Sequence, residues 1–85
     1  MPEISRFFGI VVAMLWRDHR PPHFHAFYAD HEAAVEIETG TVTGYLPARA
    51  LKLVQEWRQL HKVELLEDWR AAEARRTLKR IAPLE

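Results

Sequence analysis

The first half of the chain alternates apolar and polar positions as β-strands do, whereas the second half repeats its apolar residues at helical spacing. Residues 9–17 predict a strand that is apolar on both faces, which is typical of a central position in a sheet. Further strands are predicted at residues 23–29 and 32–38, and an edge strand or turn at 41–43. Strands followed by helices favour an α+β fold, an antiparallel sheet of three to four strands with two helices packed on one face.

The two helices are predicted after Pro47, which suits the start of a helix because its missing N–H costs nothing there. Their apolar stripes include Val54 and Trp57 in the first helix and Trp69 in the second. One unbroken helix over residues 47–76 would be about 45 Å long. So small a sheet cannot cover that length, and we expect a bend at residues 61–63.

Length and composition indicate a small single-domain protein and exclude several kinds of binding site. A chain of 85 residues fits a single domain over 1–85, with the sheet at about 9–43 and the helices at about 47–76. Twelve basic and twelve acidic residues cancel, so a global basic field for nucleic acid is excluded. The chain has no Cys, which excludes thiolate metal sites and fits a reducing compartment. The longest apolar stretch is about half the roughly 20 residues that cross a bilayer, so we expect a cytoplasmic protein without a membrane partner.

Polar side chains that can carry chemistry are concentrated around one histidine-rich strand. A hairpin with Asp30 and His31 as its turn residues would pair His25 with Glu36 and His23 with Glu38. The same register places only apolar residues opposite one another on the other face of the strands. A slip of two residues would keep both faces but lose the second pair of histidine and glutamate.

Two imidazoles beside an arginine are sufficient for metal-free cleavage of a phosphodiester, with one histidine as base and the other as acid. The preceding segment supplies the arginine, and its two prolines make it a stiff loop. The predicted catalytic residues are Asp18, His19, Arg20, His23 and His25, and the predicted binding residues are Arg17, Glu36 and Glu38.

Two other interpretations of the same residues stay open. The histidine face could be a solvated polar surface whose cross-strand pairs contribute only tenths of a kcal/mol each. It could also be a metal site, since His23 and His25 project to the same side and His19, Asp18 or Glu36 could complete it. On balance the sequence assigns no metal ligand and no cofactor.

Two features elsewhere have both a structural and a functional interpretation. The three tryptophans are predicted to be core residues rather than platforms on which bases stack. A basic cluster near the C-terminus is either a solvated tail or a contact to RNA or a partner; it contains Arg75, Arg76, Lys79 and Arg80.

Several segments together resemble one known family. They are the opening 2–10, the block Asp18-His19-Arg20-Pro21-Pro22-His23-Phe24-His25-Ala26, the segment 46–51, and the tryptophan-bearing stretches 56–57 and 65–69. These segments are similar to the small bacterial domain-of-unknown-function 4160 family, over nearly the whole chain.

The resemblance implies a two-gene module with a small partner protein from an adjacent gene, for which a toxin–antitoxin role has been proposed. We therefore expect a toxin-like component that acts on RNA through the histidine face, and, if it is an enzyme, a metal-independent ribonuclease. The alternative is a non-catalytic regulatory module that binds a partner, a ligand or a metal.

Overall fold

The computed structural model, which describes residues 2–85, is a five-stranded antiparallel sheet followed by two helices. Each strand pairs with the next one along the chain, so the order in the sheet is the order in sequence. The elements are β1 Glu3–Phe7, β2 Ile10–Ala13, β3 His23–Tyr28, β4 His31–Glu36, β5 Val42–Gly44, α1 Ala48–Leu60 and α2 Lys62–Glu73. The α+β class is confirmed, whereas the predicted count of three to four strands is wrong.

The additional strand arises because the long apolar stretch near the N-terminus is a hairpin. Phe8 and Gly9 form its turn with φ values of 49° and 79°, a left-handed conformation that favours glycine. β1 and β2 pair on either side of it, with Arg6 opposite Val11. The single strand predicted at 9–17 is therefore shorter and ends at Ala13.

The hairpin of β3 and β4 adopts the slipped register rather than the predicted one. Its turn residues are Ala29 and Asp30, so His23 lies opposite Glu36 and His25 lies opposite Ala34. Apolar residues still face the core, because a shift of two residues preserves both faces. The predicted pairs His25–Glu36 and His23–Glu38 are therefore wrong.

The pairing of β4 with β5 determines where β4 ends. Val35 lies opposite Val42 of β5, and the Gly40 N–H donates a hydrogen bond to the Glu36 carbonyl oxygen at 2.9 Å. This tight return leaves Glu38 exposed in the turn after β4, so it does not extend the strand as predicted. The weakly predicted edge element is a true edge strand.

The helices bury their apolar stripes against one face of the sheet. Trp57 of α1 is fully buried, with its ring centroid 5.4 Å from that of Phe7 and 5.7 Å from that of Phe24. The helices are separate because His61 leaves helical geometry, with φ −120° and ψ 25°. The predicted bend is confirmed. The remaining large buried side chains of the core are Ile4, Ile10, Val12, Met14, Val35, Ile37, Val54 and Leu65.

The C-terminal segment packs along the edge strand β1. The Ile81 N–H donates to the Ile4 carbonyl oxygen at 2.8 Å, and the Trp57 indole N–H donates to the Ala82 carbonyl oxygen at 2.8 Å. This edge of the sheet is therefore covered by the chain itself, which protects it from pairing with other chains.

Two arginines bind the carboxylate of Glu3, the first residue of β1. Hydrogen bonds from Arg6 and Arg80 to the Glu3 carboxylate lower the pKa of that group to about 2. Glu3 therefore stays charged through mildly acidic conditions.

Candidate functional site

The loop between β2 and β3 folds over the start of β3 and carries Asp18 to the histidines. At its turn the Arg17 N–H donates to the Ala72 carbonyl oxygen at 3.2 Å, which fixes the loop to the end of α2. Pro21 and Pro22 then lead directly into the strand. Since proline restricts φ, the approach to His23 is stiff.

Asp18 lies between the two strand histidines. Its Oδ2 atom is 2.9 Å from His23 Nε2 and 3.2 Å from His25 Nε2, and its Oδ1 atom accepts the His19 backbone N–H at 2.8 Å. The three side chains are largely buried, with exposed fractions of 7% for His23, 14% for Asp18 and 15% for His25. The structure thus brings together three of the five predicted catalytic residues.

The hydrogen bonds of His23 determine where its proton lies. Its Nδ1 atom is 2.9 Å from the Pro21 carbonyl oxygen, which can only accept, so Nδ1 carries a hydrogen. In the neutral ring, Nε2 then presents a lone pair to the Asp18 carboxylate. That contact is favourable only if His23 takes a second proton or if a cation lies between the two groups.

His25 presents its two nitrogens differently. Its Nε2 faces Asp18, while its Nδ1 is buried and lies 3.5 Å from Glu32 Oε2 without forming a hydrogen bond to any of residues 2–85. Glu32 was not among the predicted residues. In the observed register it is the diagonal neighbour of His25 across the hairpin, so the correct register would have indicated it.

The Asp18 carboxylate is held in its charged form. Burial raises its pKa. The hydrogen bonds from the His25 side chain and the His19 N–H, together with the charge of His23, lower the pKa by more than burial raises it. The net effect is a pKa below the ordinary value of 3.8. Asp18 is therefore available as an anionic ligand at neutral pH.

A small cleft of about 180 Å³ opens beside the histidines. His19 lies at its rim with its ring stacked on that of His23, the centroids 5.1 Å apart. The His19 side chain is 82% exposed, and its Nε2 is 3.8 Å from Asp18 Oδ1. Across the cleft lie Glu36, Thr41 and Thr43. A ligand in this cleft would contact both imidazole and carboxylate groups.

The other predicted residues lie in different places. Arg20 turns away and forms an ion pair with Glu73 of α2 at 2.6 Å. Glu36 reaches the cleft, where it accepts the Thr39 hydroxyl at 3.0 Å. Arg17 lines a second cleft beside Trp16. Arg20 and Glu38 therefore do not join the histidines.

The cluster has the composition of a metal centre. Asp18, His23 and His25 each offer one ligand atom, and these atoms lie within 4.8 Å of one another. In the described part of the chain, residues 2–85, this is the one such group of three. Imidazole nitrogens and a carboxylate oxygen suit zinc and other divalent transition metals.

The model of one protein family matches residues 9–70, which is more than half of the chain and includes all three clustered residues. Its description is "Domain of unknown function (DUF4160)". The chain belongs to the DUF4160 family. The resemblance drawn from the sequence is confirmed.

Other comparisons add no relative to this DUF4160 chain. Searches of the curated proteins and of the solved structures gave no match. Within residues 2–85, neither helix has the length and apolar character needed to cross a membrane.

Proposed function

We propose that this DUF4160 domain binds a divalent transition-metal ion through Asp18, His23 and His25, with open coordination positions toward the cleft. The observation that carries the proposal is the pair of hydrogen-bond partners of His23. Its Nδ1–H is held by the Pro21 carbonyl, so in the neutral ring its Nε2 lone pair points at a charged carboxylate. A metal ion between them would satisfy both groups.

The distances suit an ion of this kind. Zinc binds imidazole nitrogen and carboxylate oxygen at about 2.0–2.2 Å, which sets neighbouring ligand atoms of a tetrahedral site about 3.3 Å apart. Asp18 Oδ2 lies 2.9 Å and 3.2 Å from the two Nε2 atoms, and the three ligand atoms lie within 4.8 Å of one another, so shifts of the side chains would admit the ion. The hydrogen bond to Pro21 supports the proposal further, because metal-binding histidines usually donate their other N–H in this way.

Three protein ligands are characteristic of catalytic zinc sites, whereas structural sites usually have four. An ion held by Asp18, His23 and His25 would supply Lewis-acid chemistry or an activated water to a ligand beside these residues. The proposed function is thus metal-dependent chemistry on a ligand in the cleft. The absence of Cys from the sequence fits a cytoplasmic location, which is part of the same proposal.

Metal titration of the purified chain tests the proposal. We expect one Co²⁺ or Zn²⁺ ion per chain, measured by calorimetry and, for Co²⁺, by visible absorption. His25→Ala and Asp18→Asn should each weaken binding at least 10-fold, since each removes one of three ligands. His31→Ala is the matched control, because it removes a histidine at the far hairpin turn.

Heat stability gives an independent readout of the same binding. An ion at 100 times its Kd stabilises the folded state by about 2.7 kcal/mol, which raises the Tm of a domain of this size by roughly 10–20 °C. Equal metal affinity in folded His25→Ala and in the unmodified chain would refute the site. So would a loss of affinity in His31→Ala as large as that in His25→Ala.

Metal-free cleavage of RNA by a toxin-like component of a two-gene module is the second candidate. The observation that favours it is His19, an exposed third imidazole stacked on His23 that is not hydrogen-bonded to Asp18 through its ring. Such a group could carry a proton to and from a substrate. Cleavage of labelled RNA that survives a chelator but is lost in His19→Ala would favour this candidate over the metal proposal. Copurification with the product of the neighbouring gene would test the partner.

A further inference from the structure

A second and larger cleft, of about 540 Å³, is lined by Trp16, Arg17 and Arg75. From these three residues we propose that the cleft binds an unpaired nucleotide of a single-stranded nucleic acid, the base stacked on Trp16 and the phosphates on the two guanidinium groups. The proposal does not depend on metal binding at Asp18.

Trp16 is an aromatic surface that the fold leaves open. Its exposed fraction is 52%, whereas Trp57 and Trp69 are 0% and 3% exposed. The indole N–H donates to the Arg76 carbonyl oxygen at 3.2 Å, so the ring is anchored by its polar edge. The prediction that all three tryptophans are core residues is wrong for Trp16.

Arg75 occupies a backbone position that ordinarily takes glycine. It ends α2 with φ 57°, where the Arg75 N–H donates to the Ala72 carbonyl and the Arg76 N–H donates to the Ala71 carbonyl. This pair of hydrogen bonds is the Schellman motif. Its left-handed residue is usually glycine, because a side chain is disfavoured in that conformation. At this position the Arg75 side chain lines the cleft beside Trp16.

Arg17 shows the same combination of a left-handed backbone and a side chain that lines the cleft. Its φ is 56°, and its N–H shares the Ala72 carbonyl oxygen with that of Arg75. Two arginines with left-handed backbone conformation thus donate their N–H groups to the same carbonyl oxygen at the end of α2. The geometry places both residues beside the anchored ring of Trp16.

The charges of these two arginines are not neutralised within the fold. Arg6, Arg20 and Arg80 each have a carboxylate partner, whereas across residues 2–85 no carboxylate oxygen lies within 4.0 Å of the Arg17 or Arg75 guanidinium. The cleft therefore presents uncompensated positive charge, although the whole chain is neutral. An anionic ligand is the complementary partner.

An aromatic face flanked by arginines is the arrangement by which proteins hold single strands, since every base can stack and every phosphate is anionic. An acidic peptide would use the arginines but not the ring. The bases of a duplex are stacked on one another, so their faces could not stack on Trp16. The combination of all three residues therefore favours an unpaired nucleotide within a strand.

The test is binding of fluorescein-labelled 12-nucleotide oligouridylate and oligothymidylate, followed by anisotropy over a salt series with chelator present throughout. Trp16→Ala should weaken binding at least 10-fold. Arg75→Gly should weaken binding at least 5-fold and lower the slope of log affinity against log salt by about 0.7, the value for one lost phosphate contact. The two oligonucleotides distinguish RNA from DNA as the source of the strand.

Arg75→Gly separates binding from folding, because glycine relieves the left-handed strain and should leave the Tm unchanged or higher. Arg49→Ala is the matched control: it removes one positive charge from an exposed position on α1 and should bind like the unmodified chain. Unchanged affinity in Arg75→Gly, or an equal loss in Arg49→Ala, would overturn the proposal. Tighter binding of duplex RNA or of polyglutamate than of either single strand would overturn it too. Since chelator is present, failure here leaves the metal proposal untouched, and loss of metal binding leaves this one untouched.

Discussion

Replacing Asp18 by asparagine removes one negative charge from the centre of the histidine cluster while keeping the shape of the side chain. The carboxylate accepts from the His19 N–H, at 2.8 Å, and faces His23 Nε2 and His25 Nε2 at 2.9 and 3.2 Å. An amide can keep the first contact through its oxygen. Its NH₂ group, however, is a donor and cannot accept from either imidazole.

The expected effect on the metal-free chain follows from these contacts. The hydrogen bond from His25 is lost, and a hydrogen bond that involves a charged group contributes about 1.5–3 kcal/mol. Relief of the burial of a charge offsets part of this loss. We therefore expect Asp18→Asn to lower the free energy of unfolding by about 1–3 kcal/mol near neutral pH. For a domain of this size the Tm would fall by roughly 4–8 °C per kcal/mol.

The sign of the pH dependence follows from the lowered pKa of Asp18. A carboxylate with a folded pKa below its unfolded value stabilises the fold above that unfolded value, and the stabilisation is lost as the pH falls through the folded pKa. The difference between the two chains should therefore be full at about pH 5.5 and should shrink below the ordinary value of 3.8.

Urea denaturation in the presence of chelator measures this difference at several pH values. Asp30→Asn is the matched control, because Asp30 is an exposed carboxylate in the hairpin turn. A difference between Asp18→Asn and the unmodified chain that stays constant down to pH values below the ordinary pKa would refute the assigned contacts. A metal-free Asp18→Asn chain more stable than the unmodified one would refute them as well.

Three further predictions test the rest of the fold. Trp57→Ala should cost about 3–5 kcal/mol by urea denaturation, since it empties the centre of the core and frees the Ala82 carbonyl. Gly40→Ala should cost about 1–3 kcal/mol, because φ is +79° and the new Cβ would lie 2.8 Å from Arg58 Nη2; an unchanged Tm would contradict this. Glu3, whose pKa is lowered to about 2, should stabilise the fold above its ordinary value of 4.5 and lose that effect as the pH falls toward 2, which NMR titration of its side chain would show.

The features that could be predicted from the sequence depend on periodicity and on local backbone rules. Alternation placed Phe24 and Val35 in the core whichever register the hairpin chose, because a slip of two residues keeps the faces. Helical spacing located Trp57 and Trp69, both of which are buried. The bend at His61 followed from the mismatch between the length of a continuous helix and the size of the sheet.

Asp18 is among the predicted site residues, but its contact with both histidines could not be predicted, because that contact depends on a turn and a loop. The sequence offered Glu36 and Glu38 at strand spacing, but the hairpin turns one residue earlier than expected, at Ala29, which adopts φ 53°. A left-handed alanine gives no local signal, since glycine or asparagine is the usual residue there. Asp18 reaches the imidazoles only through the path of the loop before β3.

The exposure of Trp16 could not be predicted from the sequence either. It follows the apolar residues of the predicted strand at 9–17 and continues their alternation, so its position favours burial. The strand in fact ends at Ala13, and the left-handed Arg17 redirects the chain toward the end of α2. Contacts between a loop and a distant helix end depend on tertiary structure, which one sequence does not display.

The register of β3 and β4 decides which carboxylate of the strands lies beside His25, and a designed disulfide across the hairpin tests that register. Phe27 and Glu32 lie directly opposite each other. Opposite residues have Cα atoms about 4.5–5.5 Å apart, within the range of about 4.4–6.8 Å that a disulfide spans. The chain has no native Cys, so a double variant Phe27→Cys with Glu32→Cys contains a single possible bridge.

We expect this pair to oxidise rapidly and to raise the Tm, with the disulfide detected by mass spectrometry and thiol titration. The matched control is Phe27→Cys with Ala34→Cys, which would be opposite partners in the register predicted from the sequence. In the observed register these two positions are diagonal neighbours about 7–8 Å apart, beyond the reach of an unstrained disulfide. If the control pair oxidised and the Glu32 pair did not, His25 would lie beside Glu36 instead of Ala34. Glu36 would then flank that imidazole in addition to Asp18, and it would become a candidate ligand of the proposed metal site.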